Sequence, residues 1–129
     1  IAALSRALLA AGLEPETWHT DTWPRWALIA HGIALAGHDG AGRLGRQLEQ
    51  AGVAESRVTK LLTARGDAFR QLLPSLLRLL ASKGVRPNWF ELGELILKES
   101  GPAAGAAERA EALRLRIAGP YFSALAATR

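Results

Sequence analysis

Asp67-Ala68-Phe69-Arg70-Gln71-Leu72-Leu73-Pro74-Ser75-Leu76-Leu77-Arg78-Leu79-Leu80-Ala81-Ser82 is the stretch that decides the fold class. Its apolar residues fall at 69, 72, 73, 76, 77 and 80, the i, i+3, i+4, i+7 recurrence of a helix with one buried stripe. Arg70 and Arg78 lie off that stripe. Asp67 is placed to cap the helix and Gly66 to stop the one before it. Pro74 predicts a kink or a late start, because proline has no N–H and its ring crowds the preceding turn.

The same pattern extends in both directions. Upstream, Arg43 to Gln50 reads as a short helix ended by Gly52. Ala54 to Arg65 reads as another, with Val58, Leu61 and Leu62 on one face. Further back come a helix over Ala2–Ala11 closed by Gly12, an irregular Leu13–Thr22, a helix over Pro24–Ala36 and a Gly-rich loop, Gly37–Gly42. Proline is tolerated in a first turn, so Pro24 suits a helix start. Downstream, Lys83–Pro87 is a turn and Asn88-Trp89-Phe90-Glu91 reads as a capping box, Glu91 reaching back to the cap residue. That helix should end near Lys98, before Ser100-Gly101-Pro102. The last should span Ala106–Ala118, broken by Gly119-Pro120 ahead of a terminal turn with Tyr121 and Phe122. No segment alternates with period two. The expectation is therefore all-α: a compact bundle of six to seven helices with no β-strand. It forms a single domain over 1–129, divisible at most into an N-terminal subdomain 1–86 and a C-terminal helical part 87–129.

The chain has 129 residues and no cysteine, which excludes disulfides and thiolate metal sites and fits a cytoplasmic protein. No apolar run approaches the roughly 18 residues needed to span a bilayer, so no membrane association is expected. Ile1-Ala2-Ala3-Leu4-Ser5-Arg6 lacks the charged start and long apolar core of a signal peptide. A first residue other than Met suggests a trimmed or partly observed N-terminus.

Charge is the functional signal. Between Arg43 and Arg86 nine Lys or Arg stand against three acids, a local +6 in a chain whose net charge is +4. Neither solubility nor packing needs so one-sided a field, and a polyanion is the matching partner. Arg57 and Lys60 share a face away from Val58, Leu61 and Leu62. Arg43 and Arg46 are likewise three apart, and Arg70 and Arg78 lie on the solvent side of their helix. These six are the candidate nucleic-acid-binding residues. If their helices pack side by side, they form a stripe suited to phosphates through counterion release. Arginine adds a planar fork that also stacks on unpaired bases. Arg109, Arg114 and Arg116 on the last helix stand in reserve. The competing reading is a set of ordinary solvated helix faces.

Other chemistry is thinly represented. Trp18, Trp23, Trp26 and Trp89 are expected to pack rather than stack on bases. His31 reads as a satisfied, partly buried histidine, and His38 falls past the end of its helix. There is no His-Glu-x-x-His, no metal-spaced carboxylate cluster and no nucleophile elbow. Gly40-x-Gly42-x-x-Gly45 follows no strand, which removes a dinucleotide site. No catalytic residue, metal or cofactor is expected. The joint at Gly66 could begin a helix-turn-helix, but Asp67-Ala68-Phe69-Arg70 is too acidic and apolar to read base edges.

With these residues in view, the chain resembles the small subunit of the type I-E CRISPR Cascade complex, the CasB family. The likeness covers about Trp26 to Ala118. It rests on Ala27-Leu28 with His31, then Arg43-Leu44-Gly45-Arg46-Gln47-Leu48, then Val53-Ala54-Glu55-Ser56-Arg57 followed by Leu61-Leu62. The Leu-rich helix Leu72–Leu80 and Val85-x-x-Asn88-Trp89-x-x-Leu92 complete it. The resemblance implies a non-enzymatic subunit that forms a homodimer along the belly of an RNA-guided complex. Its partners there are the other Cascade subunits and the crRNA, and it helps hold the opened target DNA, including the displaced single strand. Guide pairing then chooses the sequence, and a non-specific basic track suffices. A helical adaptor docking an acidic protein is the alternative, and a helix-turn-helix regulator a third.

Overall fold

Seven helices and no strand form among the residues described by this computed structural model, 2–13 and 22–128. They are α1 (Ala2–Ala10), α2 (Thr22–Ala36), α3 (Leu44–Gln50), α4 (Glu55–Thr63), α5 (Gly66–Ser82), α6 (Trp89–Lys98) and α7 (Ala106–Ala127). The apolar stripe of α5 is the centre of the core. Phe69, Leu73, Leu76, Leu77 and Leu80 are buried there, while Leu72 is only half-buried. α2 packs on both α5 and α6, α7 on α3 and α6, and α4 on α5. A single apolar cluster joins Ile29, Leu48, Leu61, Leu77, Leu92 and Ile117 with their neighbours, drawing on both sides of the 86/87 turn.

The stop signals read from glycine are realised at Gly12 and Gly52, and the turn read over Lys83–Pro87 supplies a third helix end at Gly84, each glycine with positive φ. After each, the next residue's N–H reaches a carbonyl five positions back: Leu13 to Leu8, Val53 to Leu48, Val85 to Leu80. These are Schellman ends, favoured where glycine takes the left-handed conformation at no side-chain cost.

Two prolines and one glycine behave differently from expectation. Pro74 neither delays nor ends α5, which runs unbroken from Gly66 to Ser82. It sits on the exposed face. The roughly 3 kcal/mol cost of an interior proline is outweighed by five buried side chains at about 1.5–3 kcal/mol each. Pro120 does not break the last helix, so α7 continues past Ala118 to Ala127. Ile117 and Tyr121 on either side of it are fully buried, and the Tyr121 hydroxyl donates to the Val53 carbonyl at 2.7 Å. Gly66 is the first residue of α5 rather than the stop of α4, which ends at Thr63 ahead of extended Ala64 and Arg65. The Gly66 N–H donates to the Glu99 carboxylate at 2.8 Å. A carboxylate from across the fold thus caps α5, and Asp67 lies in the first turn instead of at the cap.

Leu77 is 0% exposed in this core. Leu77→Ala is expected to cost about 2–5 kcal/mol in chemical denaturation. A loss below about half a kcal/mol would be that of a surface position and would place the stripe on the wrong side of α5.

Candidate nucleic-acid interface

α4 and α5 pack with their apolar sides together and leave an open groove between their outer edges. Arg57 and Lys60 line it from α4, and Gln71, Leu72 and Ser75 line it from α5. The Arg57 guanidinium donates to Ser75 Oγ at 2.8 Å, which holds the side chain over the groove. Arg78 follows Ser75 by three residues and extends the same face of α5. Among the described residues no carboxylate comes within ion-pair range of Arg57, Lys60 or Arg78. An arginine and a lysine beside a hydroxyl and an amide make a rim of donors above a leucine floor. That combination suits a phosphate with an adjoining apolar group.

The six arginines and lysines do not all meet there. Arg70 is turned onto Asp67 at 2.6 Å, an i, i+3 pair that offsets its charge. Arg43 and Arg46 belong to the α3–α7 side. Arg43 occupies the N-cap position of α3, its Nε 3.8 Å from Glu91 Oε2, and it donates a long 3.5 Å hydrogen bond to the Arg116 carbonyl. That carbonyl lacks its helical partner because Pro120, four residues on, has no N–H. Arg46 lines a shallow depression with Glu49, with Ser123 of α7 and with Thr128 just past the end of that helix. Of the reserve set only Arg116 is exposed without an ion pair among the described residues. Arg109 makes a two-pronged contact with Glu94, both bonds 2.7 Å. Those bonds, against the opposing effect of burial, hold the Glu94 carboxyl below its usual range. Arg114 is buried on Glu99 at 3.1 Å.

What holds these faces in place is a set of polar contacts between helix ends, of which sequence reading found only the Asn88 cap. Asn88 caps α6, its side chain accepting from the Phe90 and Glu91 N–H groups. Glu91, however, does not reach back to Asn88. Its Oε1 accepts from the Leu44 N–H at 2.8 Å and so caps α3. Gln47 of α3 returns the contact, accepting from the Asn88 N–H at 2.7 Å. Asn88 also donates to the Gly42 carbonyl at 2.7 Å. The pieces Arg43–Leu48 and Asn88–Leu92, some 40 residues apart, are therefore locked to each other. At the other end of α6, the buried Arg25 guanidinium donates to the Ile96, Glu99 and Ser100 carbonyls, matching a cation to a helix C-terminus. The signal for these partners was faint: polar residues at the ends of apolar segments.

The histidines and tryptophans are placed as follows. His31 is exposed, not partly buried, because the α2 surface that turns inward is the one carrying Arg25, Ile29, Gly32 and Ala36. His38, in the loop after α2, accepts the Trp89 N–H at Nδ1, 3.0 Å. Trp89 is buried and donates to the Gly37 carbonyl, while Trp23 and Trp26 are half-buried. Trp18 lies outside the described residues. Among the described residues no group of three His, Cys, Asp or Glu could hold a metal ion, and no helix is long and apolar enough to cross a membrane.

A model of the family described as CRISPR-associated protein Cse2 matches residues 2–122. No curated protein and no solved structure matches the chain.

Proposed function

The chain belongs to the CRISPR-associated Cse2 family, the small subunits of the type I-E Cascade complex, and on that footing we propose that it is a non-catalytic subunit that steadies opened target DNA. In this reading two copies pair along the belly of the assembly, beside the subunits that carry the crRNA. The α4–α5 face receives the phosphates of unpaired DNA, the displaced non-target strand included. R-loop formation is near balance in base-pairing energy, so a few phosphate contacts are enough to tip it.

One observation supports this most directly. Arg57 and Lys60 line the α4–α5 groove, exposed Arg78 follows Ser75 by one turn of α5, and none of the three has a carboxylate in ion-pair range among the described residues. A cationic face kept clear of its own acids retains its field for an external anion. Arg43 and Arg46 carry their positive charge separately, on the α3–α7 side, and Arg70 contributes least because Asp67 already answers it.

The test is the double charge reversal Arg57→Glu with Lys60→Glu. Both side chains leave the apolar core untouched, so folding should change by no more than about half a kcal/mol per substitution. Binding of the assembled complex to target DNA should weaken. The slope of log affinity against log salt on single-stranded oligothymidine should fall by about 1.4, at about 0.7 for each phosphate no longer neutralised. Normal assembly with an unchanged salt slope would remove the face from this role. A helical adaptor for an acidic protein would bind no single strand in either form.

A further inference from the structure

A second depression, apart from the α4–α5 groove, has the Gly40–Gly42 loop on one side and α6 and α7 on the other. Arg43, Arg116, Phe90 and Glu91 line it. Phe90 is 71% exposed, the most exposed of the large apolar side chains among the described residues. It is nonetheless held firmly. The His38 ring meets it edge-on with centroids 5.0 Å apart. Gly40 lies against it so closely that a Cβ there would sit 2.6 Å from Phe90 Cε2. Beside the ring stand two guanidinium side chains. Arg116 is exposed, and Arg43 is 54% exposed, held only by the long contacts already described. The depression also contains a carboxylate, but Glu91 spends Oε1 on the Leu44 N–H. Its Oε2 is buried without a hydrogen-bond donor, 3.8 Å from Arg43 Nε. The surface therefore presents cation and aromatic ring, not anion.

An open ring braced from behind and flanked by arginines is the arrangement that takes an unpaired nucleotide, because every base has a face to stack and every nucleotide a phosphate to pair. We propose that Phe90, Arg43 and Arg116 form a second single-strand contact, in which one nucleobase stacks on Phe90 and the phosphates beside it rest on the two guanidiniums. The site is chosen by stacking as well as by charge, which sets it apart from the α4–α5 face. A strand reaching it must be unpaired there, since a base within a duplex has no free face to offer.

Two probes separate stacking from charge: fluorescent oligothymidine, and an abasic sugar–phosphate oligomer of the same length. Binding to each is followed by anisotropy with the full chain at low salt. Phe90→Ala should weaken oligothymidine at least about five-fold, the lower end of what one base–aromatic stack contributes. It should leave the abasic oligomer unchanged, and Phe90→Trp should restore binding. Arg43→Ala and Arg116→Ala should weaken both probes and lower the salt slope. If Phe90→Ala binds oligothymidine as the parent does, or weakens both probes equally, the stacking site is refuted. That result would leave the α4–α5 reading standing if the Arg57→Glu, Lys60→Glu variant still binds more weakly. A parent chain that binds neither probe would overturn both.

Discussion

Gly45→Ala is expected to destabilise the chain by about 3 kcal/mol or more, the upper end of overpacking costs. A Cβ at Gly45 would lie 2.1 Å from the Ile117 carbonyl oxygen and 2.7 Å from the Tyr121 nitrogen. Both are backbone atoms of α7 and cannot swing aside as a side-chain tip can. Relief requires α3 to move off α7, and that contact holds Leu44, Leu48, Ile117 and Tyr121, all fully buried. The movement would also strain the exchanged caps, Glu91 to the Leu44 N–H and Gln47 to the Asn88 N–H. Gly119→Ala is the matched control. It too lies inside a helix, but beyond its chain neighbours its Cβ would meet nothing within 4 Å. Alanine's helix propensity there is opposed by the crowding of a Cβ against the following Pro120, so the net change should stay within about 1 kcal/mol. Urea denaturation of both variants reads the difference. A Gly45→Ala chain as stable as the parent would mean that α3 and α7 do not approach this closely.

Glu99→Ala should cost a comparable amount, about 3–5 kcal/mol, because it strands a buried charge. Glu99 is 3% exposed. Its Oε1 accepts from Arg114 at 3.1 Å and from the Ser100 hydroxyl at 3.0 Å, and its Oε2 from the Gly66 N–H at 2.8 Å. Without it Arg114, itself buried, keeps only the exposed Glu111 at 3.2 Å, and α5 loses the acceptor at its first residue. Removing both charges as Glu99→Leu with Arg114→Leu should recover much of the stability, the pattern by which a double-mutant cycle identifies a coupled buried pair. Hydrogen exchange at the Gly66 amide gives an independent reading, with protection falling in Glu99→Ala. A cost under about 1 kcal/mol with protection intact would show that the pair is solvated, since exposed pairs contribute that little.

Both predictions turn on contacts between residues distant in the chain, and that is where sequence reading and structure part. Signals that act within a turn or two were legible. The period of α5, the glycine stops at Gly12 and Gly52, the turn over Lys83–Pro87, the Asn88 cap and the outward face of Arg57 and Lys60 each depend only on near neighbours, so their chemistry is visible in the string of residues. Of the candidate interface, that outward face was the legible part. The spread of the other cations was not, because it depends on which helix lies on which. Arg114 and Arg116 are two positions apart in α7 and alike in type. Only the packing of that helix on α3 and α6 buries the first and leaves the second at the surface. Trp89 and Phe90 divide in the same way.

From its sequence alone this protein is determined to be helical, to place its core stripe on α5 and to carry its positive charge between residues 43 and 86, because periodicity and composition are properties of the chain itself. Tertiary structure decided that α5 begins at Gly66, that α7 passes through Pro120, and that Glu91 and Glu99 serve helices other than their own. The reason is physical. A helix end or a proline leaves backbone groups unpaired, and whether the helix stops there depends on what the rest of the fold brings to them. Glu99 lies 33 residues from Gly66 and Glu91 lies 47 from Leu44, separations that only the folded chain closes.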